Sequence, residues 1–251
     1  MKSSLSAAAG LLLAVAALAP AGRTEDAPPA VFRPGARVLF QGDSITDMNR
    51  GRTDDPNHIL GHSYAFLIAA RQGADFPGQQ VTFINRGIGG NRVADLVQRW
   101  SSDTLELKPD IVSILIGVND VLIGYWQHQP VSIDTYEQTY DQLLATTLAA
   151  NPRIKLVLCE PFILPGKNTR EKWEEWQSTM KAMRAAVARL AAKFHAPVVH
   201  LQKVFDDACQ RGPIEYWIWD GIHPTYAGQQ LVADEWMRTV RAFYGTPASK
   251  P

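Results

Sequence analysis

Five short runs of β-branched and aliphatic residues recur along the chain, separated by segments with apolar residues at helical spacing. Two of these helical segments run from Tyr136 to Ala150 and from Lys172 to His195. The short runs do not alternate strictly between polar and apolar residues, which is typical of strands buried on both faces. This order predicts repeated βαβ units. The five runs lie at 37–40, 81–84, 111–116, 154–158 and 197–201.

Repeated βαβ units with right-handed crossovers form a doubly wound parallel sheet with helices on both faces. We therefore predict a single-domain α/β fold of the flavodoxin-like type, with five parallel strands. Sites in such folds lie at the carboxyl ends of the strands. The composition agrees with this class, since 46% of the 251 residues are hydrophobic and 20% are charged, as in an ordinary soluble domain.

The N-terminal residues have the features of a secretory signal peptide. A charged start at Lys2 is followed by an apolar run centred on residues 11–15 and by the small-residue segment Ala19-Pro20-Ala21. We predict cleavage after Ala21, and hence a secreted or periplasmic protein. The apolar run is too short to span a bilayer comfortably, so stable membrane insertion is not expected, although a retained anchor is the alternative.

The predicted domain organisation follows from this N-terminus. Residues 1–21 are the predicted signal peptide, 22–34 a flexible leader with three prolines, 35–245 the folded domain and 246–251 a tail. The full chain has 25 basic and 25 acidic residues, and cleavage removes only Lys2 among them, which leaves a net charge of 24 − 25 = −1. Nucleic acid is therefore not an expected partner. The oligomeric state is not predicted.

Only two cysteines occur, Cys159 and Cys209. This number is too small for a disulfide framework, and the spacing is not that of a zinc site. Export would permit a bridge between them. Two separate thiols are the alternative, because Cys159 lies in an apolar run and could pack in the core.

Polar and glycine-rich segments follow the first three predicted strands. They are Gly42-Asp43-Ser44, residues 87–91 and residues 117–120. Asp220 and His223 lie before the C-terminal helical segment, and a doubly wound sheet can bring them to the same crevice. A hydroxyl, an imidazole and a carboxylate are the groups of a serine hydrolase triad.

The predicted chemistry assigns one role to each of these groups. Ser44 attacks an ester carbonyl, His223 takes the hydroxyl proton, and Asp220 orients His223. The three-residue spacing lets the carboxylate reach the imidazole nitrogen that faces away from Ser44. The alternative is that Asp220 caps a loop and His223 is a surface histidine.

These blocks resemble the SGNH hydrolases, also called GDSL esterases, which carry a serine, a glycine, an asparagine and a histidine in separate sequence blocks. The resemblance runs from the first predicted strand to the C-terminal helix and implies an SGNH hydrolase fold for residues 35–245. It implies that Ser44, Asp220 and His223 form the catalytic triad. It also implies an oxyanion hole formed by the N–H groups of Ser44 and Gly90 and the side-chain amide of Asn119.

Other functional interpretations of these motif segments fit the residues less well. A dinucleotide-binding pattern starting at Gly87 would need glycine at position 92, where Arg92 stands. Asp43 and Asp120 adjoin candidate catalytic residues in tight turns, and we expect both to have structural roles. The chemistry requires no metal or cofactor, and none is predicted. The remaining histidines show no metal-ligand spacing: His58, His62, His128, His195 and His200.

Within this family the chain is most similar to GDSL-type acetylxylan esterases. The shared stretches are residues 39–47, 91–96 and 108–121, and Trp219 matches a tryptophan that such esterases carry immediately before the triad aspartate. Block two of these relatives often reads Gly-Ile-Ser-Gly-Asn, whereas this chain has Gly89 in place of the serine. Four aromatic residues could border the site and stack on sugar rings, or else pack in the core or at its rim: Tyr125, Trp126, Trp217 and Trp219.

The resemblance implies a serine esterase that hydrolyses short acyl esters, acetyl esters above all, of carbohydrates such as acetylated xylan or its oligosaccharides. The expected partner is therefore an acetylated carbohydrate or another small ester. A broad-specificity lipolytic esterase or thioesterase for short acyl chains would use the same triad. An inactive carbohydrate-binding module is the alternative outside the enzymes.

Overall fold

The computed structural model describes residues 31–128 and 130–245. The predicted signal peptide, residues 22–30 of the predicted leader and the predicted tail lie outside the described residues. Five parallel strands form one sheet in the order β2-β1-β3-β4-β5, which confirms the predicted α/β fold. The strands are β1 (Arg37–Gly42), β2 (Thr82–Asn85), β3 (Ile111–Leu115), β4 (Lys155–Cys159) and β5 (Val198–Val199).

Helices follow the strands and cover the sheet. The two predicted helical segments correspond to helices at Ile133–Ala150 and Trp173–Lys193. The first begins three residues early because the Ser132 side chain accepts a hydrogen bond from the Thr135 N–H and caps it. The helices are α1 (Ser44–Asp47), α2 (Tyr64–Asp75), α3 (Val93–Trp100), α4 (Val118–Trp126), α5 (Ile133–Ala150), α6 (Trp173–Lys193), α7 (Leu201–Ala208), α8 (Ile214–Trp217) and α9 (Tyr226–Tyr244).

The strand order places a crevice between β1 and β3. The chain moves outward from β1 to β2 on one side and from β3 to β5 on the other, so the connections after β1 and β3 leave in opposite directions. The carboxyl ends of these two strands are the usual ligand site of such a sheet.

The core extends further towards the N-terminus than the sequence predicts. Val31 and Phe32 fall within the predicted leader, yet both are buried, and the Phe32 ring stacks on Trp236 of α9. Their apolar side chains are removed from water only because this segment packs on the sheet. Residues 31 and 32 therefore belong to the packed domain rather than to a flexible leader.

The two cysteines are free thiols. Cys159 is buried at the end of β4, where its sulfur lies 3.7 Å from the Ser113 hydroxyl, and burial raises the pKa of its thiol to about 12. Cys209 is partly exposed. The structure thus agrees with two separate thiols. Within the described segments, none of the helices is long and apolar enough to cross a membrane.

Candidate active site

Ser44 lies at the carboxyl end of β1, where the chain turns directly into α1. Asp43 caps this short helix, since its carboxylate accepts a 2.9 Å hydrogen bond from the Ile45 N–H. A Cβ at position 42 would clash with the backbone carbonyl of Leu115 on β3. Only glycine at this position lets the end of β1 approach β3 so closely.

The structure brings together the three residues of the predicted triad. The Ser44 hydroxyl lies 2.8 Å from Nε2 of His223, and Nδ1 of His223 lies 2.7 Å from Oδ2 of Asp220. The carboxylate stabilises the tautomer with hydrogen on Nδ1, and this leaves Nε2 as an acceptor for the hydroxyl. Ser44 and His223 are 179 positions apart in sequence, so the fold alone creates the contact between them.

Asp220 is buried and fully engaged in hydrogen bonds. Its Oδ1 accepts from the backbone N–H groups of Ile222 at 2.9 Å and His223 at 2.7 Å, and its Oδ2 also accepts from the side-chain amide of Asn168 at 3.0 Å. Burial acts to raise the pKa of Asp220, but the hydrogen bonds from His223 and Ile222 outweigh it and the pKa is lowered. Asp220 is therefore an anion at neutral pH.

The same hydrogen bond shifts the pKa of His223 in the opposite direction. The hydrogen bond to Asp220 raises the pKa of His223 above its ordinary value of 6.5, although burial works against this shift. The negative charges of Asp220 and Asp43 add to the increase. The imidazole is thus a stronger base than a free histidine, as a proton acceptor for a serine hydroxyl requires.

A segment between β4 and α6 supports the loop that carries Asp220. The Leu164 N–H donates to the Gly221 carbonyl at 3.0 Å, and the Asn168 N–H donates to the Asp220 carbonyl at 2.9 Å. Gly221 has φ +97°, and a Cβ there would clash with the Thr169 hydroxyl. Asn168 is not among the site residues that the sequence predicts. Its position after the fourth strand, like the motifs after the first three, was the available signal.

The residues of the predicted oxyanion hole come from three segments, since Ser44 opens α1, Gly90 lies in the loop after β2 and Asn119 is the second residue of α4. Gly90 has φ +81°, a conformation that favours glycine, and a Cβ at the adjacent Gly89 would lie 3.8 Å from Cβ of Ser44. The Asn119 side chain is buried and donates a 3.1 Å hydrogen bond to the backbone carbonyl of Asn91. The structure therefore places the Gly90 loop beside Ser44. It also places the Asn119 side chain against the same loop.

The carboxylates of Asp43 and Asp120 accept hydrogen bonds from backbone N–H groups, in line with the structural roles expected for both residues. The Asp120 carboxylate accepts from the Val93 N–H at the start of α3, at 3.2 Å and 3.3 Å from its two oxygens. Burial raises the pKa of Asp43 to about 7, and burial likewise raises the pKa of Asp120 to about 7. Hydrogen bonds from Ile45 and Val93, respectively, act against these increases.

Trp219 is the predicted aromatic residue that borders the triad. It is 57% exposed, and its ring lies 6.4 Å from the His223 ring at an interplanar angle of 25°. Trp217, by contrast, is buried in the core, where its ring contacts Tyr216 and the Arg211 guanidinium. Trp217 therefore packs and does not present a face to substrate, which corrects its candidate role in substrate binding.

The other two predicted aromatic residues lie at the end of α4. Tyr125 packs against Trp176 of α6 with ring centroids 6.0 Å apart, and the Lys172 ammonium lies 4.7 Å from its ring centre. Its ring is thus engaged by α6. Trp126 is 63% exposed. It lies seven residues after Asn119, so a regular helix places it on the same side of α4, about 10 Å along the axis.

The remaining histidines have ordinary polar partners or positions. His58 pairs with Asp55 at 2.6 Å, and His200 with Glu160 at 3.2 Å. Among residues 31–128 and 130–245, no group of three or more His, Cys, Asp or Glu side chains is arranged to hold a metal ion.

Comparison with known proteins identifies relatives for nearly the whole domain. The chain matches the GDSL-like Lipase/Acylhydrolase family over residues 40–231. An acetylxylan esterase from Geobacillus stearothermophilus is 31% identical over 213 residues, which cover 82% of this chain and 94% of that protein.

Solved structures agree with the sequence match. A protein described as a GDSL-like lipase, from Parabacteroides merdae, superposes with a TM-score of 0.79 at 34% identity and covers 83% of this chain and 97% of its own. A variant of an acetyl xylan esterase from Geobacillus stearothermophilus superposes with a TM-score of 0.75 at 30% identity. The match covers 87% of this chain and 100% of the esterase chain.

The Geobacillus esterase has also been solved as three catalytic mutants. They replace a serine, an aspartate and a histidine by alanine, and the aspartate precedes the histidine by three positions. Asp220 precedes His223 by the same number of positions in this chain.

Proposed function

Since the chain belongs to the GDSL-like lipase/acylhydrolase family and is an ester hydrolase, we propose that it removes acetyl groups from carbohydrates such as acetylated xylan or its oligosaccharides. One observation carries the chemistry, namely the continuous hydrogen-bond chain from the Ser44 hydroxyl through His223 to Asp220. The similarity to an acetylxylan esterase supports the choice of substrate.

The first chemical step forms an acyl-enzyme. Ser44 Oγ attacks the ester carbonyl carbon while Nε2 of His223 takes the hydroxyl proton. The imidazolium that forms is stabilised by Asp220, whose buried carboxylate lies 2.7 Å from Nδ1. Collapse of the tetrahedral intermediate breaks the bond to the sugar oxygen, and His223 delivers its proton to that leaving group.

Stabilisation of the tetrahedral oxyanion is assigned to the N–H groups of Ser44 and Gly90 and to the Asn119 amide. The left-handed conformation of Gly90 and the position of Asn119 against its loop support this assignment. Such fixed donors act on the charge as it develops, and loss of one typically costs about 2.7–4 kcal/mol of transition-state stabilisation.

The second step regenerates the enzyme. His223 removes a proton from a water molecule, the resulting nucleophile attacks the acetyl carbonyl, and acetate leaves as the proton returns to Ser44. The acid and base are the same imidazole in both steps, so Asp220 must hold one ring orientation throughout.

Sugar recognition is assigned to exposed aromatic rings near the triad. Trp219 is the best placed, because it is largely exposed and lies next to the His223 ring. A flat aromatic face buries the apolar side of a sugar ring and leaves the hydroxyl groups free for water or polar contacts. Trp126 is a second candidate, on the same side of α4 as Asn119.

Export belongs to the same proposal. A polysaccharide does not cross a membrane, so an esterase that acts on it must reach the periplasm or the medium. The charged start, apolar middle and small-residue end of residues 1–21 support such a route. N-terminal sequencing of the exported protein should begin at Gly22, and retention of the intact N-terminus in the cytoplasm would refute export.

The substrate assignment is tested by acetate release from acetylated xylo-oligosaccharides alongside p-nitrophenyl esters of increasing acyl length. We expect acetylated sugars to be the best substrates, a steep fall beyond short acyl chains, and no turnover by Ser44→Ala. A preference for longer acyl chains or thioesters would instead indicate a broad-specificity lipolytic esterase. Equal turnover by wild type and Ser44→Ala would reject the proposed triad.

A further inference from the structure

Arg99 of α3 places a largely buried guanidinium group beneath the loops of the candidate site. Its side chain is only 14% exposed, and burial acts to lower its pKa. Each of its nitrogens donates at least one hydrogen bond. The acceptors are Oδ1 of Asn91 (2.8 Å), Oε1 of Gln41 (2.9 Å), the Arg86 carbonyl (2.8 Å), Oδ2 of Asp103 (3.0 Å) and the Gly42 carbonyl (3.3 Å).

Two of these acceptors belong to the segments that form the site, namely the end of β1 and the loop after β2. The Gly42 carbonyl lies two residues before Ser44, and the Asn91 side chain follows directly on Gly90. The Gly42 carbonyl also accepts a 3.1 Å hydrogen bond from the Ile88 N–H. Arg99 therefore joins the end of β1 to the loop that carries Gly90.

A further hydrogen bond extends this connection to Asn119. The backbone carbonyl of Asn91 accepts from Nδ2 of Asn119 at 3.1 Å. An amide nitrogen carries two hydrogens in a fixed plane, so a bond made by one of them sets the direction of the other. The position of Asn91 thus determines where Asn119 aims its second N–H.

We propose that Arg99 is a positioning residue for the oxyanion hole, because it fixes Asn91 and Asn91 in turn orients the amide of Asn119. This inference rests on the proposed function, which gives Asn119 its role as a donor to the oxyanion. The planar guanidinium suits the task, since its five N–H groups point in fixed directions, whereas a lysine offers one mobile ammonium group.

A purely structural role for Arg99 is the competing explanation. Its ion pair with Asp103 spans one helical turn and could simply stabilise the end of α3. That role predicts lower stability but no particular dependence on Asn119. The two explanations therefore differ in how mutations at positions 91, 99 and 119 combine.

The test is a double-mutant cycle on kcat for p-nitrophenyl acetate. Asn91→Ala removes one acceptor of Arg99, keeps the backbone carbonyl that binds Asn119, and leaves the other four hydrogen bonds of Arg99 possible. We expect Asn91→Ala and Arg99→Lys each to lower kcat by about tenfold with little change in KM, but by less than about twofold in an Asn119→Ala background. Arg189→Lys, on an exposed ion pair with Glu137, is the control and should leave kcat unchanged.

Each outcome decides the matter. Equal fold-losses in the presence and absence of Asn119 would overturn the inference, as would a rise in KM alone. If Arg99→Lys does not fold, as judged by circular dichroism, the Asn91→Ala cycle decides by itself. Turnover by Ser44→Ala at the wild-type rate would instead reject the proposed function, so the two failures are distinguishable.

Discussion

The side-chain amide of Asn168 and the carboxylate of Asp220 are joined by a 3.0 Å hydrogen bond. The acceptor, Oδ2, is the same oxygen that binds Nδ1 of His223 at 2.7 Å. Asn168 comes from the segment between β4 and α6, 52 residues before Asp220. The orientation of the carboxylate therefore depends on a segment outside the motif that contains Asp220 and His223.

Asn168→Ala should lower kcat/KM for acetyl esters by about tenfold, because a hydrogen bond to a charged group is worth about 1.5–3 kcal/mol and the exposure of Asn168 places this one at the lower end. Without the amide, Asp220 holds the His223 ring less firmly. Steady-state kinetics with p-nitrophenyl acetate measures the loss. The control is Asn151→Ala, which removes an asparagine in the turn between α5 and β4, away from the crevice. This variant should retain wild-type kinetics. Equal rates for Asn168→Ala and wild type would show that this contact is dispensable.

The activity should decline towards acid pH with a midpoint above 6.5, since the hydrogen bond to Asp220 raises the pKa of His223 and only the neutral imidazole can accept the Ser44 proton. Asp220→Asn removes the charge that stabilises the imidazolium, so the His223 midpoint should move to lower pH. The kcat/KM profile of the wild type and an NMR titration of the His223 ring in both proteins provide the measurements. A higher His223 midpoint in Asp220→Asn would contradict the electrostatic explanation.

Trp219→Ala should reduce kcat/KM for acetylated xylo-oligosaccharides by about tenfold, since loss of one aromatic stacking partner costs about 0.5–1.5 kcal/mol beyond the lost buried area. Turnover of p-nitrophenyl acetate, which has no sugar, should change little. Phe243→Ala is the matched control, because Phe243 is also an exposed aromatic residue but lies near the far end of α9. A parallel loss on both substrates would mean that Trp219 supports the His223 loop rather than the sugar.

Two glycine substitutions should change stability in opposite directions. Gly42→Ala should destabilise by about 1–3 kcal/mol, because the added methyl group meets the Leu115 carbonyl and the Thr46 side chain. Gly73→Ala should stabilise by about 0.5–1 kcal/mol, since α2 has open space at that position and alanine favours a helix. Urea denaturation followed by circular dichroism gives both values. A Gly42→Ala variant as stable as wild type would show that β1 can shift away from β3.

Much of the fold and the triad could be predicted because their signals are local. Each buried parallel strand is a short apolar run, and the Asp220–His223 pair lies within one turn, so its geometry follows from three residues of spacing. The contact of Ser44 with His223 could be inferred because both motifs fall at the carboxyl ends of the predicted sheet. The sequence was less informative about the core boundary at Val31 and Phe32, where prolines suggested a loose segment.

The supporting residues could not be predicted from sequence, because their partners are distant and their residue types are common. Arg99 lies in an amphipathic helix, where an arginine usually faces solvent, and only the folded chain brings it beneath Asn91. Trp217 and Trp219 differ by two positions and have the same side chain, yet the first is buried and the second exposed. This difference depends on how the 218–224 loop folds back, with Ile218 bridged to Pro224.

Ser44 is the proposed acylated nucleophile, and the decisive measurement is mass spectrometry after reaction with a serine-directed fluorophosphonate. We expect one adduct per chain, mapped to the peptide that contains Ser44, with labelling abolished in Ser44→Ala and strongly slowed in His223→Ala. An active, folded protein that remains unlabelled at Ser44, or a Ser44→Ala variant that still hydrolyses acetyl esters at the wild-type rate, would contradict it.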